Sequence, residues 1–216
     1  MRLGVKPHVF LLRAVVVFFL TYLLWSPIAP AYTEVLAYLT GGFLHLTESS
    51  RDPNLHQVSR LWVQDTTIFF GHRLFPQLRI PGIPAEWVQA NMVLLIPLML
   101  ATPAATYRQR FGRLLLAMAI ALVLQVLDLA VTVKSFFANE LGEWSFRYYS
   151  DSARWWYNFG DAFAQSMDTQ LFPFAIWAGI HFRQLMGGKL EPPAVAVQER
   201  GERRRQDRQG KKGRKS

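Results

Sequence analysis

The hydrophobic positions of this chain fall into long blocks, separated by shorter polar segments. Four blocks are long enough to cross a hydrocarbon layer about 30 Å thick, which takes roughly 20 helical residues at about 1.5 Å each. They cover residues 9–28, 87–106, 114–133 and 162–182. The pattern predicts an all-α integral membrane protein with about four transmembrane helices.

The segment 32–46, "YTEVLAYLTGGFLHL", is apolar but is interrupted by Gly41 and Gly42. We expect an interfacial or re-entrant helix that continues from the first span after a bend at Pro27 and Pro30. The alternative is a fifth span, which would invert the topology of everything that follows.

Two more polar segments, 47–86 and 134–161, are predicted to lie on the outer side of the membrane. Within the first, "VSRLWVQDTTIFFGHRL" is rich in β-branched and aromatic residues with partial alternation, which predicts a small strand pair. Within the second, "WSFRYYSDSARWWYNFG" is rich in Trp and Tyr, which favour the headgroup level. We expect an amphipathic interfacial helix there; a platform for a sugar or lipid headgroup is the alternative.

Basic residues set the orientation, because Lys and Arg near span ends are retained in the cytoplasm. With four spans and both termini inside, the cytoplasmic segments hold 17 basic residues and the outer segments hold 7. The predicted location is the cytoplasmic membrane, as a multi-pass protein with both termini cytoplasmic.

The chain divides into a polytopic transmembrane domain, 1–186, and a basic tail, 187–216. After Phe182 there are eleven basic and four acidic residues, a net charge of +7, with Gly-Gly and Pro-Pro breakers. This composition predicts a disordered cytoplasmic tail that associates with anionic lipids of the bilayer, with no specific nucleic-acid partner.

The N-terminus has a second interpretation. Its basic residues, apolar core and small residues Ala29-Pro30-Ala31 also resemble a secretory signal with a cleavage site. The core is long and contains Arg13, which favours an uncleaved anchor.

Polar side chains occur within the third and fourth predicted spans. Gln125 and Asp128 are three residues apart, and Asp161, Gln165 and Asp168 follow spacings of four and three, so each set shares a helix face. Asp128 and Asp168 are expected at a similar depth, where the two sets form an intramembrane polar cluster.

Two carboxylates at one depth in hydrocarbon do not both ionise, so one is protonated or a base such as Lys134, Arg147 or Arg154 reaches them. The cluster is interpreted as a hydrogen-bonded clamp between two helices. A proton, ion or substrate site is the alternative.

Catalytic and metal-binding chemistry is sparse. The chain has no cysteine, which excludes thiol catalysis, disulfides and thiolate metal sites. Its 5 histidines are scattered, with no pair at the spacing of a zinc site. We predict no catalytic residue, cofactor or metal.

Several phrases resemble one bacterial family. They are "FLLRAVVVFFLTYLLW", "VLLIPLMLATP" with the basic turn "YRQRFGRLLL", "LVLQV" and "LFPFAIWAGIHFRQL". Together they resemble the exosortase H-associated membrane protein family, over roughly residues 10–185. The resemblance implies a non-enzymatic accessory role in protein sorting, with an exosortase-like membrane protein as partner, and it supplies no catalytic residues.

Exosortases process sorting signals with a cysteine, an arginine and a histidine, so a chain without cysteine is not such an enzyme. The leading hypothesis is therefore an accessory protein. The alternative is a small transporter or channel-like protein that uses the intramembrane carboxylates as a proton or cation site.

Overall fold

The computed structural model describes residues 7–48, 58–76, 82–102, 106–167 and 171–182. The basic tail lies outside these residues. Most of the described chain is helical, with one small antiparallel sheet. In chain order the elements are α1 (Pro7–Thr47), β1 (Ser59–Gln64), β2 (Thr67–His72), β3 (Ile83–Pro84), α2 (Ala85–Ala101), α3 (Tyr107–Asn139), α4 (Glu143–Tyr148), α5 (Asp151–Met167) and α6 (Leu171–Ile180).

Two described helices, α1 and α3, are long and apolar enough to cross a membrane. At about 1.5 Å per residue, the 41 residues of α1 extend about 60 Å and the 33 residues of α3 about 50 Å. Each is longer than the hydrocarbon layer is thick, so each has the length to cross it.

The segment 32–46 continues from the first predicted span, as expected, and belongs to the same helix, while its interfacial position stays a prediction. Helix α1 runs without interruption through Pro27, Pro30 and the Gly41-Gly42 pair. Polar side chains also bond the backbone of α1 close to the prolines. The Ala29 carbonyl accepts hydrogen bonds from the Thr33 hydroxyl at 2.8 Å and from the Gln89 side chain at 3.2 Å.

The prediction of four transmembrane helices is not supported by the described helices. The predicted second span corresponds to α2, whose 17 residues extend only about 25 Å and end where Thr102 turns to an extended conformation. The predicted fourth span overlaps the end of α5, which is described as far as Met167, and the 10 residues of α6. Apolar composition alone did not reveal that α2 ends at Ala101.

The predicted strand pair is confirmed. Strands β1 and β2 form an antiparallel hairpin in which Gln64 pairs with Thr67 and Ser59 with His72. Asp65 takes a positive φ of 56° in the two-residue turn, a conformation that aspartate tolerates better than most residues. The short β3, which the sequence did not reveal, pairs with β2 on its other side, so the strand order is β1-β2-β3.

Helices α1 and α3 run in the same direction, as shown by two contacts that occur in the same order along both helices. Tyr32 bonds Gln125, and farther along each helix Glu48, just after α1, bonds Lys134. Helix α2 packs against both of them and against α6. The sheet packs at the end of α1 and α3, where Phe70 and Phe137 lie in one buried apolar cluster with Leu44.

Candidate functional site

The most concentrated group of buried polar residues lies where α1, the sheet and α3 meet. Lys134 Nζ lies 2.8 Å from the Glu48 carboxylate, and their side chains are 11% and 0% exposed. The Ser59 hydroxyl donates to the same carboxylate oxygen, and its backbone N–H donates to the other at 3.4 Å. We call Glu48, Lys134 and Ser59 the ionic junction.

The junction joins three elements that are distant in sequence. Glu48 follows the last residue of α1, Ser59 opens β1, and Lys134 lies near the end of α3. A buried carboxylate is costly unless it is paired and its remaining lone pairs are satisfied. Here an ammonium, a hydroxyl and a backbone amide supply those partners, so the junction is a satisfied structural connection between the sheet and both long helices.

His72 lies beside the junction as the strand partner of Ser59. Its Nδ1 accepts the backbone N–H of Leu74 at 3.2 Å, so the neutral ring carries its proton on Nε2. Three rings surround it, with centroids 4.4 Å away for Trp144, 4.9 Å for Phe137 and 5.2 Å for Phe75.

Burial among these rings lowers the pKa of His72 to about 4. The positive charges of Lys134 and Arg73 lower this pKa further, and the Glu48 carboxylate opposes them. His72 is therefore neutral near pH 7, and its main role there is to fill an aromatic pocket.

A cavity of about 390 Å³ opens beside the junction. Glu48, Lys134, Tyr149 and Tyr157 line its polar part. Burial raises the pKa of both phenols, with a further contribution to Tyr149 from Tyr157 and Glu48. Both tyrosines are therefore neutral hydrogen-bonding groups near pH 7.

A second polar contact joins α3 to α5 through uncharged groups for most of its length. The Ser135 hydroxyl donates to the Asn158 side chain at 2.9 Å, and Asn139 donates to the same oxygen at 2.7 Å. Further along, the Thr132 hydroxyl donates to Asp161 at 2.7 Å. We call these residues the amide ladder, because Asn139 and Asn158 are its centre.

Two residues of the predicted cluster, Asp161 and Gln125, make hydrogen bonds to different helices. Asp161 belongs to the amide ladder and accepts from Gln165 within α5 at 3.1 Å. Gln125 instead bonds Tyr32 of α1. Asp128 is half-buried on α3, and Asp168 lies outside the described residues. The expected meeting of Asp128 with Asp168 therefore stays a prediction.

Lys134 was one of three bases considered as partners of the intramembrane carboxylates, and in the structure it pairs with Glu48. Arg154 pairs with Asp151 in its own helix, and its guanidinium lies 4.2 Å from the Phe146 ring. The sequence analysis did not identify Glu48 as a buried residue. The only feature that marks it in the sequence is its place in a polar stretch directly after a long apolar segment.

The aromatic segment forms two helices, and the expected amphipathic helix is α5. Trp155, Phe159 and Phe163 recur at helical spacing, and their rings stack with successive centroid distances of 5.4 and 6.2 Å. All three are about half exposed. The opposite side of α5 carries Asn158 and Asp161 against α3.

The N-terminal part of α1, the end of α2 and α6 contact one another at the end of the helices that lies away from the sheet. The Trp177 indole donates to the Thr102 hydroxyl at 2.7 Å, and its ring lies 6.4 Å from that of Phe10. No group of three His, Cys, Asp or Glu residues suited to a metal ion occurs among the described residues.

No protein-family model matches the chain, no curated protein matches its sequence, and no solved structure matches its fold. The resemblance to the exosortase H-associated family thus stays a prediction.

Proposed function

We propose that the protein is a membrane-embedded accessory protein that holds a protein partner at the outer face of the cytoplasmic membrane. The partner implied by the sequence resemblance is an exosortase-type sorting enzyme. The observation that carries the proposal is the ionic junction, which fixes a small sheet at one end of two long apolar helices.

The surroundings of the junction support a binding role more than a chemical one. Glu48 and Lys134 neutralise each other, and the Ser59 hydroxyl donates a hydrogen bond to Glu48. His72 is neutral and has its Nδ1 bonded to the chain itself. The buried Nε2 of His72 has no hydrogen-bond partner among the described residues. Glu48, Lys134 and Ser59 are engaged with one another, which suits a scaffold that presents a fixed surface.

Membrane insertion is part of the proposal. Helices α1 and α3 have the length and composition to cross, and the exposed aromatic stripe of α5 suits the headgroup level. With the basic termini inside, the sheet and the ionic junction lie at the outer surface. Extraction of membranes with carbonate and activity of reporters fused after Ser216 test this arrangement.

The accessory role is tested by purifying the tagged full chain from membranes that also contain an exosortase-type enzyme. We expect the enzyme to co-purify with the wild-type chain and to be lost from the Lys134→Met variant. Asp151→Asn, which removes an exposed ion pair on α5, is the control and should retain the enzyme. Co-purification that is absent for the wild type, or unchanged by Lys134→Met, contradicts the proposal.

The transporter alternative makes a different prediction in the same preparation. If the purified chain alone, reconstituted in liposomes, carries proton or cation flux that Asp128→Leu abolishes, then the accessory role is wrong. We expect no flux above that of empty liposomes.

A further inference from the structure

The free edge of the sheet faces an open groove. Strand β1 lies at the edge of the strand order β1-β2-β3. Beside it is a groove of about 1300 Å³, whose walls are β1 and the C-terminal part of α1. Five consecutive residues of β1, from Ser59 to Val63, line it. Since successive side chains point to opposite faces of a sheet, lining by consecutive residues means that the groove follows the strand edge.

The hairpin register shows which backbone groups point into the groove. In a hairpin with a two-residue turn, the pair that flanks the turn exchanges both hydrogen bonds, and such pairs alternate along the ladder. Gln64 pairs with Thr67 at the turn, and Trp62 pairs with Phe69 two residues on. The N–H and C=O groups of Leu61 and Val63 therefore point away from β2.

Among the residues that the structure describes, hydrogen-bond partners are found only at the first outward position of this edge. The Ser59 N–H bonds Glu48, and the Ser59 carbonyl lies 3.0 Å from the His45 ring nitrogen. For Leu61 and Val63, no hydrogen bond to the outward groups is made by the residues that the structure describes. An edge with outward N–H and C=O groups is a template for another strand.

The opposite wall leaves room for that strand. Gly41 and Gly42 lie on α1 along the groove, and a Cβ at either position would meet nothing within 4 Å. From Glu34 to Leu46 this wall is about 18 Å long at 1.5 Å per residue, which matches an extended segment of about five or six residues.

Charge is unequal along the groove. Arg60 and Arg73, both exposed, line it near the start of β1, and Glu34 lines it on α1. An extended segment with an acidic side chain beside the two arginines complements this distribution.

We propose that the groove binds an extended segment of a partner protein, which adds to β1 as a fourth strand and places an acidic side chain beside Arg60 and Arg73. This inference rests on the proposed accessory function and names the chemistry of the partner. The backbone groups of Leu61 and Val63 supply the hydrogen bonds, and Gly41 and Gly42 supply the space. This mode of binding is strand addition at a sheet edge.

The test uses the purified full chain in detergent and fluorescent eight-residue peptides of alternating threonine and valine with aspartate near one end. We expect saturable binding by fluorescence anisotropy. N-methylation of alternate peptide amides should abolish binding for one set of positions and spare the other, because only one edge of the added strand faces β1. Equal effects of both sets, or no binding, overturn the proposal.

Two glycine variants form a matched pair. Gly42→Leu places a side chain in the groove, and we expect peptide affinity to fall at least tenfold. Gly112→Leu makes the same change in α3, where a Cβ also meets nothing within 4 Å, and affinity should be unchanged. Both changes replace a helical glycine by a better helix former, so neither is expected to unfold the chain. Equal affinities for the two variants contradict the assignment.

A second variant addresses the backbone directly. Val63→Pro removes one outward N–H and leaves the bonds to β2 in place, as proline is tolerated on an edge strand in this position. Binding should weaken while the thermal unfolding midpoint changes little. Replacing the peptide aspartate by lysine should also weaken binding, and a stronger affinity for lysine overturns the charge assignment.

The outcomes separate this inference from the proposed function. If the exosortase-type enzyme co-purifies but the peptides do not bind, the accessory role stands and strand addition is wrong. If the peptides bind but the enzyme does not co-purify, the groove has a different protein partner and the proposed sorting role is wrong.

Discussion

Helix α3 makes polar contacts with α1 and with α5, and the two contacts differ in their chemistry. Toward α1 it makes the ionic junction, in which both charges are buried. Toward α5 it makes the amide ladder, which is mostly uncharged and partly exposed. A buried charge that loses its partner costs several kcal/mol, while a lost neutral hydrogen bond costs about one. Removing one residue of the ionic junction should therefore cost most of the stability that the contact provides, whereas removing one residue of the amide ladder should cost only part of it.

The largest effect should come from breaking the junction on one side. Lys134→Met leaves the Glu48 carboxylate buried without its cation, and we expect a loss of about 3 to 5 kcal/mol in the free energy of unfolding. The double variant Glu48→Leu with Lys134→Met removes both charges and should recover most of that loss. Thermal unfolding of the detergent-purified proteins measures both. A double variant as unstable as Lys134→Met would mean that packing, and not charge, holds this region.

Acid should weaken the same region through His72. Because burial lowers its pKa to about 4 from an ordinary 6.5, the native state favours the neutral ring, and the unfolded chain binds the proton first. The stabilisation is thus complete above about pH 6.5 and is lost as the pH falls toward 4. The full shift corresponds to roughly 3 kcal/mol.

The matched control for this pH dependence is His72→Asn, whose side-chain oxygen can accept the Leu74 N–H without titrating. The difference between wild type and variant in unfolding midpoint should change between pH 7 and pH 4.5. Parallel pH curves for the two proteins would show that carboxylates alone cause the acid sensitivity.

The amide ladder should respond more weakly. Asn158→Leu removes the acceptor that Ser135 and Asn139 share, and we expect a loss of about 1 to 2 kcal/mol. Asp161→Asn keeps an oxygen that can accept the Thr132 hydroxyl, so its unfolding midpoint should lie close to that of the wild type. A loss for Asn158→Leu as large as that for Lys134→Met would remove the contrast between the two contacts.

The smallest effect is expected for the exposed pair on α5. Asp151 is 93% exposed at its side chain, so water and salt already screen its interaction with Arg154. Asp151→Asn should change stability by less than about 1 kcal/mol, and this change should shrink in high salt. A large effect would place Asp151 in a contact that the exposure does not suggest.

Local patterns predicted the hairpin and the amphipathic α5 because both signals lie within a few residues. Alternation between Ser59 and His72 marked the strands, and aromatic spacing from Trp155 to Phe163 marked one face of α5. The sequence predicted that the segment 32–46 continues from the first span, but it did not reveal one unbroken helix of this length, because prolines and paired glycines often bend or end helices.

The ionic junction was beyond sequence reasoning, because 86 residues separate Glu48 from Lys134. The stretch between them includes all three strands, and nothing local relates the two charges. The polar residues 125, 128, 161 and 165 were recognised as unusual, but their spacing fixed only the helix face on which each lies. Which neighbour each face meets depends on how α1 and α5 pack around α3.

The distance of 86 residues between Glu48 and Lys134 has a consequence during synthesis. The ribosome adds about 5 to 20 residues each second, so several seconds pass between the emergence of the carboxylate and that of its cation. During that interval the carboxylate has no ammonium to pair with and should remain hydrated. The end of the first helix can bury its charge only after the third helix has been made, so the two polar partners set an order of assembly.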